Sequence, residues 1–202
     1  MDFLPFIIIG FLFGSFPTGY VYGKLASGID IRKYGSGNIG MANVRRTLGK
    51  KAGVITLIGD LIKGAIPYFI ALKFTGSHEI ALFSGFASIC GHIWTPFLKF
   101  KGGKGIATTY GVLAAASLPV AILSALVWYT MVKITRYSSL GSLCGVGSSI
   151  AWAYILPFSP KSLPLFSIIT FILVLYTHRE NIKRLIRGEE LTIDGKPKDR
   201  RA

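Results

Sequence analysis

Long apolar runs alternate along this chain with short segments that are basic and rich in glycine, and this alternation limits the possible folds most. The runs cover about residues 3–25, 52–72, 80–98, 105–134, 138–157 and 162–177. A helix needs roughly 20 residues to cross a hydrocarbon core. Composition agrees with spans: 51% of the 202 residues are hydrophobic, 16% are charged and the mean hydropathy is +0.53. Soluble domains carry about 25% charged residues. A disordered chain, a coiled coil and an ordinary soluble domain are excluded on these grounds. The first run follows Asp2 rather than a basic stretch and is too long for a cleaved leader, so it reads as a retained span. Cys90 and Cys144 both fall inside apolar runs and have the pattern of buried, inert thiols.

The run 105–134 decides the topology. As one helix it would be about 45 Å long, more than the hydrocarbon core needs, and Ser117-Leu118-Pro119 interrupts it. If it is two spans, the segments 24–52, 99–104, 133–136 and 178–201 share one side and carry 20 Lys and Arg, against Lys73 and Lys161 on the other. If it is one span, the cations divide 11 and 11. Only the first division obeys the positive-inside rule. The expectation is an all-α polytopic bundle of seven transmembrane helices, with the N-terminus outside and the C-terminus cytoplasmic. Residues 1–202 would form one integral membrane domain, with about 188–202 as a cytoplasmic tail. The formal net charge of +14 would suggest nucleic acid in a soluble protein. Here it fits basic cytoplasmic loops facing anionic lipids or substrates, and no nucleic acid is expected.

Four polar segments collect on the expected inner side. The first, GSGNIGMANVRRTLG at 35–49, combines glycines that permit tight turns with asparagines and two arginines suited to an anion. Its G-x-G-x-x-G at Gly35, Gly37 and Gly40 fails as a dinucleotide fingerprint, since no strand precedes it and the acidic residue about 20 positions on, Asp60, lies in an apolar run. The second, GHIWTPFLKFKGGKG at 91–105, sets lysines among glycines ahead of an apolar helix, a plausible phosphate cradle. It is not a Walker A loop: Gly105 stands where Ser or Thr is required and Leu98 where the first glycine belongs.

The third segment, TRYSSLGS at 135–142, offers Arg136 and hydroxyls. Ser138 or Ser139 would serve as a helix cap, while Ser142 lies a turn further in. The fourth, HRENIKRLIRGEE at 178–190, puts His178 and Asn181 on one helical face beside an apolar stripe of Ile182, Leu185 and Ile186. An amphipathic helix on anionic headgroups explains the stripe and its cations but not a His and an Asn at the membrane edge. Asp60 and Lys63 share a face within a span, either as a functional pair or as a local neutralising one. His92 has the character of a satisfied polar group in a bundle, and His78 that of a loop residue.

Together, in this order, the four segments resemble the bacterial PlsY-type membrane acyltransferases. The resemblance runs from about residue 14 to residue 188 and includes G-S-F-P-T-G-Y at 14–20. It implies transfer of a fatty acyl group from acyl phosphate to glycerol 3-phosphate, giving lysophosphatidic acid and phosphate, at the cytoplasmic face of the inner membrane. It implies catalytic roles for Ser36, Arg45, Lys104, His178 and Asn181. Asn38, Gly40, Asn43, Gly102, Gly103, Gly105 and Ser142 would bind substrate, and Glu180 would be chiefly structural. The expected partners are acyl phosphate, glycerol 3-phosphate and membrane lipids, with no obligate protein partner, no cofactor and no metal.

The chemistry is consistent with these residue types. Acyl phosphate already carries a good leaving group, so the task is to hold two anions together and let a hydroxyl attack. The proton acceptor is open between His178 and a substrate phosphate. No Ser-His-Asp set is evident. The H-x-x-x-x-D pattern of many other glycerolipid acyltransferases is absent, because His78, His92 and His178 are followed at that spacing by Phe83, Phe97 and Lys183. Two rivals remain: an anion or phospholipid transporter, which would place polar residues across the whole membrane, and a non-catalytic lipid-binding scaffold.

Overall fold

A computed structural model describes residues 3–195; the end of the expected tail, 196–202, and the first two residues lie outside the described residues. The described residues form ten α-helices with two short 3₁₀ turns, at Ile31–Lys33 and Pro96–Leu98, and no β-strand. The first apolar run is divided into α1 (Leu4–Ser15) and α2 (Thr18–Ser27) at Phe16-Pro17. Proline has no N–H to continue the ladder, and at the bend the Phe16 carbonyl accepts the Thr18 N–H at 3.1 Å and Lys63 Nζ at 2.9 Å. Lys63 also pairs with Asp60 at 2.8 Å, so these two buried residues neutralise each other.

After α3 (Met41–Leu48) come α4 (Lys50–Thr75) and α5 (His78–Ile93). The run 105–134 does break in two, at Ser117, giving α6 (Ile106–Ala116) and α7 (Leu118–Thr135). The bundle closes with α8 (Ser138–Ile155), α9 (Leu163–Thr177) and α10 (Arg179–Arg187). Among the described residues, four helical stretches are long and apolar enough to cross a membrane: Leu4–Ser27, Lys50–Thr75, His78–Leu98 and Leu118–Thr135. There are five if α9 and α10, which bend by 60° at His178, count as one. With 11 residues, α6 rises only about 16 Å.

Small residues let these helices touch. A Cβ on Gly14 would stand 1.9 Å from the Ser88 carbonyl oxygen, and one on Gly91 would stand 2.2 Å from that of Phe11, so α1 and α5 meet backbone to backbone. Such contacts are how helices associate where burial of apolar surface offers no advantage. Buried hydroxyls tie α5 to both neighbours, Ser84 Oγ to the Phe6 carbonyl of α1 and Ser88 Oγ to the Lys63 carbonyl of α4. Large apolar side chains such as Leu12, Ile122, Leu126 and Ile172 point outward, as a hydrocarbon surrounding requires.

Candidate active site

A cavity of about 790 Å³ opens between the loop before α3, α4, α6, α7, the start of α8, the α9–α10 junction and residues 189–191. Asn43 builds its first wall. This side chain is buried, its Nδ2 facing the carbonyl oxygens of Tyr34 at 3.0 Å, Asn38 at 2.9 Å and Ile31 at 3.3 Å. Its Oδ1 accepts the Ser36 N–H at 2.8 Å. Gly35 must be glycine there, since its φ is +56° and a Cβ would lie 2.3 Å from that same oxygen. Asn38 Oδ1 accepts the Gly40 N–H at 2.8 Å and sets the entry to α3. Ser36, Asn38, Gly40 and Asn43 all border the cavity, as expected. Asn43 does so as the organiser of the loop, because its own polar atoms are already engaged.

The two arginines of α3 separate. Arg45 is exposed and does not line the cavity, its Cβ lying against Gly53. Arg46 turns inward, donates from Nη2 to the Leu191 carbonyl at 3.4 Å, and leaves a buried Nε without a hydrogen-bond partner among the described residues. The spacing could have shown this: Asn43 and Arg46 are three apart and share a helical face.

Lys104 is the only one of Gly102, Gly103, Lys104 and Gly105 on the cavity wall. The N–H groups of Gly102 and Gly103 go to the carbonyls of Ile93 and His92, at 2.9 and 3.0 Å, so the expected cradle of free amides is not formed at these two positions. Gly105 ends the loop with φ +82°. The Lys104 ammonium donates to Asn181 Oδ1, and its carbonyl accepts from Thr177 Oγ1 at 3.3 Å. Burial pushes Lys104 down to about 8; Glu190 works against that, while Arg184 and Arg46 add to it.

His178 stands at the bend between α9 and α10, 3% exposed. Its Nδ1 lies 3.0 Å from the Val174 carbonyl. A carbonyl only accepts, so Nδ1 carries the hydrogen and Nε2 keeps its lone pair. Burial, with the Lys104 cation nearby, holds the imidazole down to about 4. Ser142 borders the cavity, though its hydroxyl donates back to the Ser138 carbonyl at 2.8 Å.

Of the two carboxylates near this helix, Glu180, expected to be chiefly structural, is 57% exposed and pairs with Lys183 one turn along. The buried one is Glu190, whose Oε1 accepts from Asn181 Nδ2 at 2.6 Å and from Ser139 Oγ at 2.8 Å. Its Oε2 takes Arg184 Nε at 2.8 Å. Burial alone would raise this carboxyl; the bonds from Asn181, Ser139 and Arg184 outweigh it and bring the group below its ordinary value. Ser139 thus braces Glu190, and neither it nor Ser138 caps α8. Glu190 follows the helix-ending Gly188, where periodicity carries no signal.

Comparison with known proteins settles the family. A family model described as Glycerol-3-phosphate acyltransferase matches residues 4–188. The chain belongs to the glycerol-3-phosphate acyltransferase family. Relatives of that name include one from Thermotoga petrophila, 39% identical over 96% of this chain and 98% of that protein. Another, from Aquifex aeolicus, is 42% identical over 94% and 98%. Two crystal structures of PlsY, described as an integral membrane glycerol 3-phosphate acyltransferase, are 41% identical and cover 94% of both chains. The glycerol 3-phosphate form superposes with a TM-score of 0.88 and the lysophosphatidic acid form with 0.87. This chain is therefore a PlsY-type integral membrane acyltransferase. Its matched region stops two residues before Glu190, so the brace on Asn181 comes from beyond it.

Proposed function

We propose that the protein moves a fatty acyl group from acyl phosphate to the 1-hydroxyl of glycerol 3-phosphate, releasing lysophosphatidic acid and inorganic phosphate. The observation that carries this reading is the half-buried Lys104 ammonium, presented beside Asn181 and His178 in a cavity whose far wall is apolar. Lys104 and Arg46 meet the phosphates, while Tyr110, Ala121, Ile122 and Trp128 offer a wall for the acyl chain. Ser36, Asn38, Gly40 and Ser142 border the glycerol end; Arg45 acts from outside the cavity through the field of α3.

The glycerol oxygen attacks the acyl carbonyl carbon. The new C–O ester bond forms as the C–O bond to phosphate breaks. Neutral His178 accepts a hydrogen bond from the attacking hydroxyl at Nε2 and aims its lone pair. With the imidazole held down to about 4, the departing phosphate is the stronger base and the final holder of the proton. Lys104 offsets the charge gathering on that phosphate. Holding two anions in register supplies much of the acceleration, since effective molarities reach about 10⁵–10⁸ M.

The chain is read as a single domain of seven spans, N-terminus outside, in the bacterial inner membrane. The break at Ser117 and the 20-to-2 division of cations support that count. The motif-bearing loops then face the cytoplasm, where acyl phosphate presents its headgroup. The test mixes purified protein with palmitoyl phosphate and glycerol 3-phosphate and follows phosphate and lysophosphatidic acid together. Equal amounts of both, and none with acyl-CoA or acyl carrier protein thioester as donor, are expected. Product from a thioester alone would replace the donor, and no product from folded protein would end the reading.

A further inference from the structure

Three buried side chains stand beside the chemistry without a part in it: Asp60, Lys63 and His92. Asp60 Oδ1 holds Lys63 at 2.8 Å and lies 3.7 Å from His92 Nδ1. The opposite edge of the His92 ring faces the residue before Lys104. A Cβ on Gly103 would stand 2.0 Å from His92 Nε2 and 2.7 Å from Cε1. The main chain of His92 and Ile93 meanwhile accepts the N–H groups of Gly103 and Gly102. Just upstream, Lys99 and Phe100 hold left-handed backbone, φ 55° and 60°. Non-glycine residues keep that conformation only where their surroundings over-determine it.

We propose that His92 is a positioning residue for Lys104. Its ring, backed by the Asp60–Lys63 pair and seated on Gly103, fixes the end of the loop so that the ammonium stands at Asn181 rather than elsewhere in the cavity. The inference rests on the reading that Lys104 receives the glycerol 3-phosphate headgroup. It makes Gly103 a seat for an aromatic edge. A side chain at position 103 is then harmful only while the imidazole is present.

A two-by-two set tests this: the unaltered protein, Gly103→Ala, His92→Ala and the double variant, each checked for monodispersity and thermal stability in detergent. KM for glycerol 3-phosphate and kcat are measured for all four. Gly103→Ala is expected to raise KM at least about tenfold, the 1.4 kcal/mol equivalent of one decade. His92→Ala is expected to raise it by less. Adding Gly103→Ala to His92→Ala should change KM by less than about threefold, with kcat moving less than KM throughout. His92→Gln, which retains bulk and a donor toward Asp60, should remain within about threefold of the unaltered protein. Equal fold-effects of Gly103→Ala in both backgrounds, or unchanged KM in every variant, would overturn the proposal. If His92→Ala does not fold, His92→Ser takes its place in the same set. Lys104→Ala separates the two readings. Unchanged KM there removes the assignment of Lys104 itself, whereas a raised KM with independent effects at 92 and 103 removes only the role of His92.

Discussion

Glu190 reaches back to Asn181 and accepts its Nδ2 at 2.6 Å, leaving the amide oxygen of Asn181 to take the Lys104 ammonium. The carboxylate thereby chooses which way round the amide sits. Its loss would strand two buried donors, Asn181 Nδ2 and Ser139 Oγ. An unsatisfied buried group costs about 1–3 kcal/mol. Glu190→Ala is therefore expected to lower the melting temperature in detergent by about 5 °C or more and to reduce activity. Glu190→Gln, which can still accept from both donors, should recover most of the stability. A melting temperature unchanged in Glu190→Ala would show that the brace is not structural.

Lys104 binds an anion only when protonated. Because burial holds Lys104 down to about 8, the cation is lost as pH rises through 8, and KM for glycerol 3-phosphate should climb above that point. The limiting slope is about tenfold per pH unit. Lys104→Arg, which does not titrate in this range, should remove the break if it leaves the site assembled. Measuring KM from pH 6.5 to 9.5 (a range bracketing the break by about 1.5 units) checks both statements.

The neighbouring arginines should behave unlike each other. Arg46 faces the cavity and Arg45 does not. Replacing Arg46 by Ala is expected to raise substrate KM by about tenfold or more, since charge-assisted bonds contribute about 1.5–3 kcal/mol. Replacing Arg45 should cost about threefold or less. Steady-state kinetics of the two single variants decide it, and a larger effect at Arg45 would reverse the assignment.

For His178 the pH effect has the opposite sign. Protonation fills Nε2 and removes the acceptor, so kcat falls toward acid. Burial and the Lys104 cation hold the group down to about 4, which places the acid limb below the ordinary histidine range. His178→Ala should lower kcat by about 10²-fold or more. A kcat profile with its acid break at or above about 6.5 would contradict the burial of the imidazole beside Lys104.

Much of the site could be read along the chain because it sits where glycine, asparagine and cations interrupt apolar runs. Ser36, Asn38, Lys104, His178 and Asn181 meet at one cavity, as their segments suggested. Where placement differs from expectation, the differences share a cause. Arg45 and Arg46 are one residue apart, and only the rotation of α3 separates them. Gly102 and Gly103 look like an anion cradle, yet their amides are spent on α5. Glu180 lies on the legible helix, while Glu190 acts after the chain has turned back at Gly188, where no period can be followed. The division of the run 105–134 was visible in charge, but the break of the first run at Pro17 was not, because no cation lies between its two halves.

That break has a consequence for how the protein is made. Pro17 has no N–H to offer the Phe13 carbonyl four residues back, and the Phe16 carbonyl at the bend takes the Thr18 N–H at 3.1 Å and the Lys63 ammonium at 2.9 Å. That second donor, Lys63, is 47 residues downstream and arrives paired with Asp60. A nascent chain that has delivered only its first segment to the bilayer has the bend without its charge-assisted bond. The contacts that hold the first segment are thus complete only when α4 arrives, so biogenesis of this enzyme couples its earliest span to a later one.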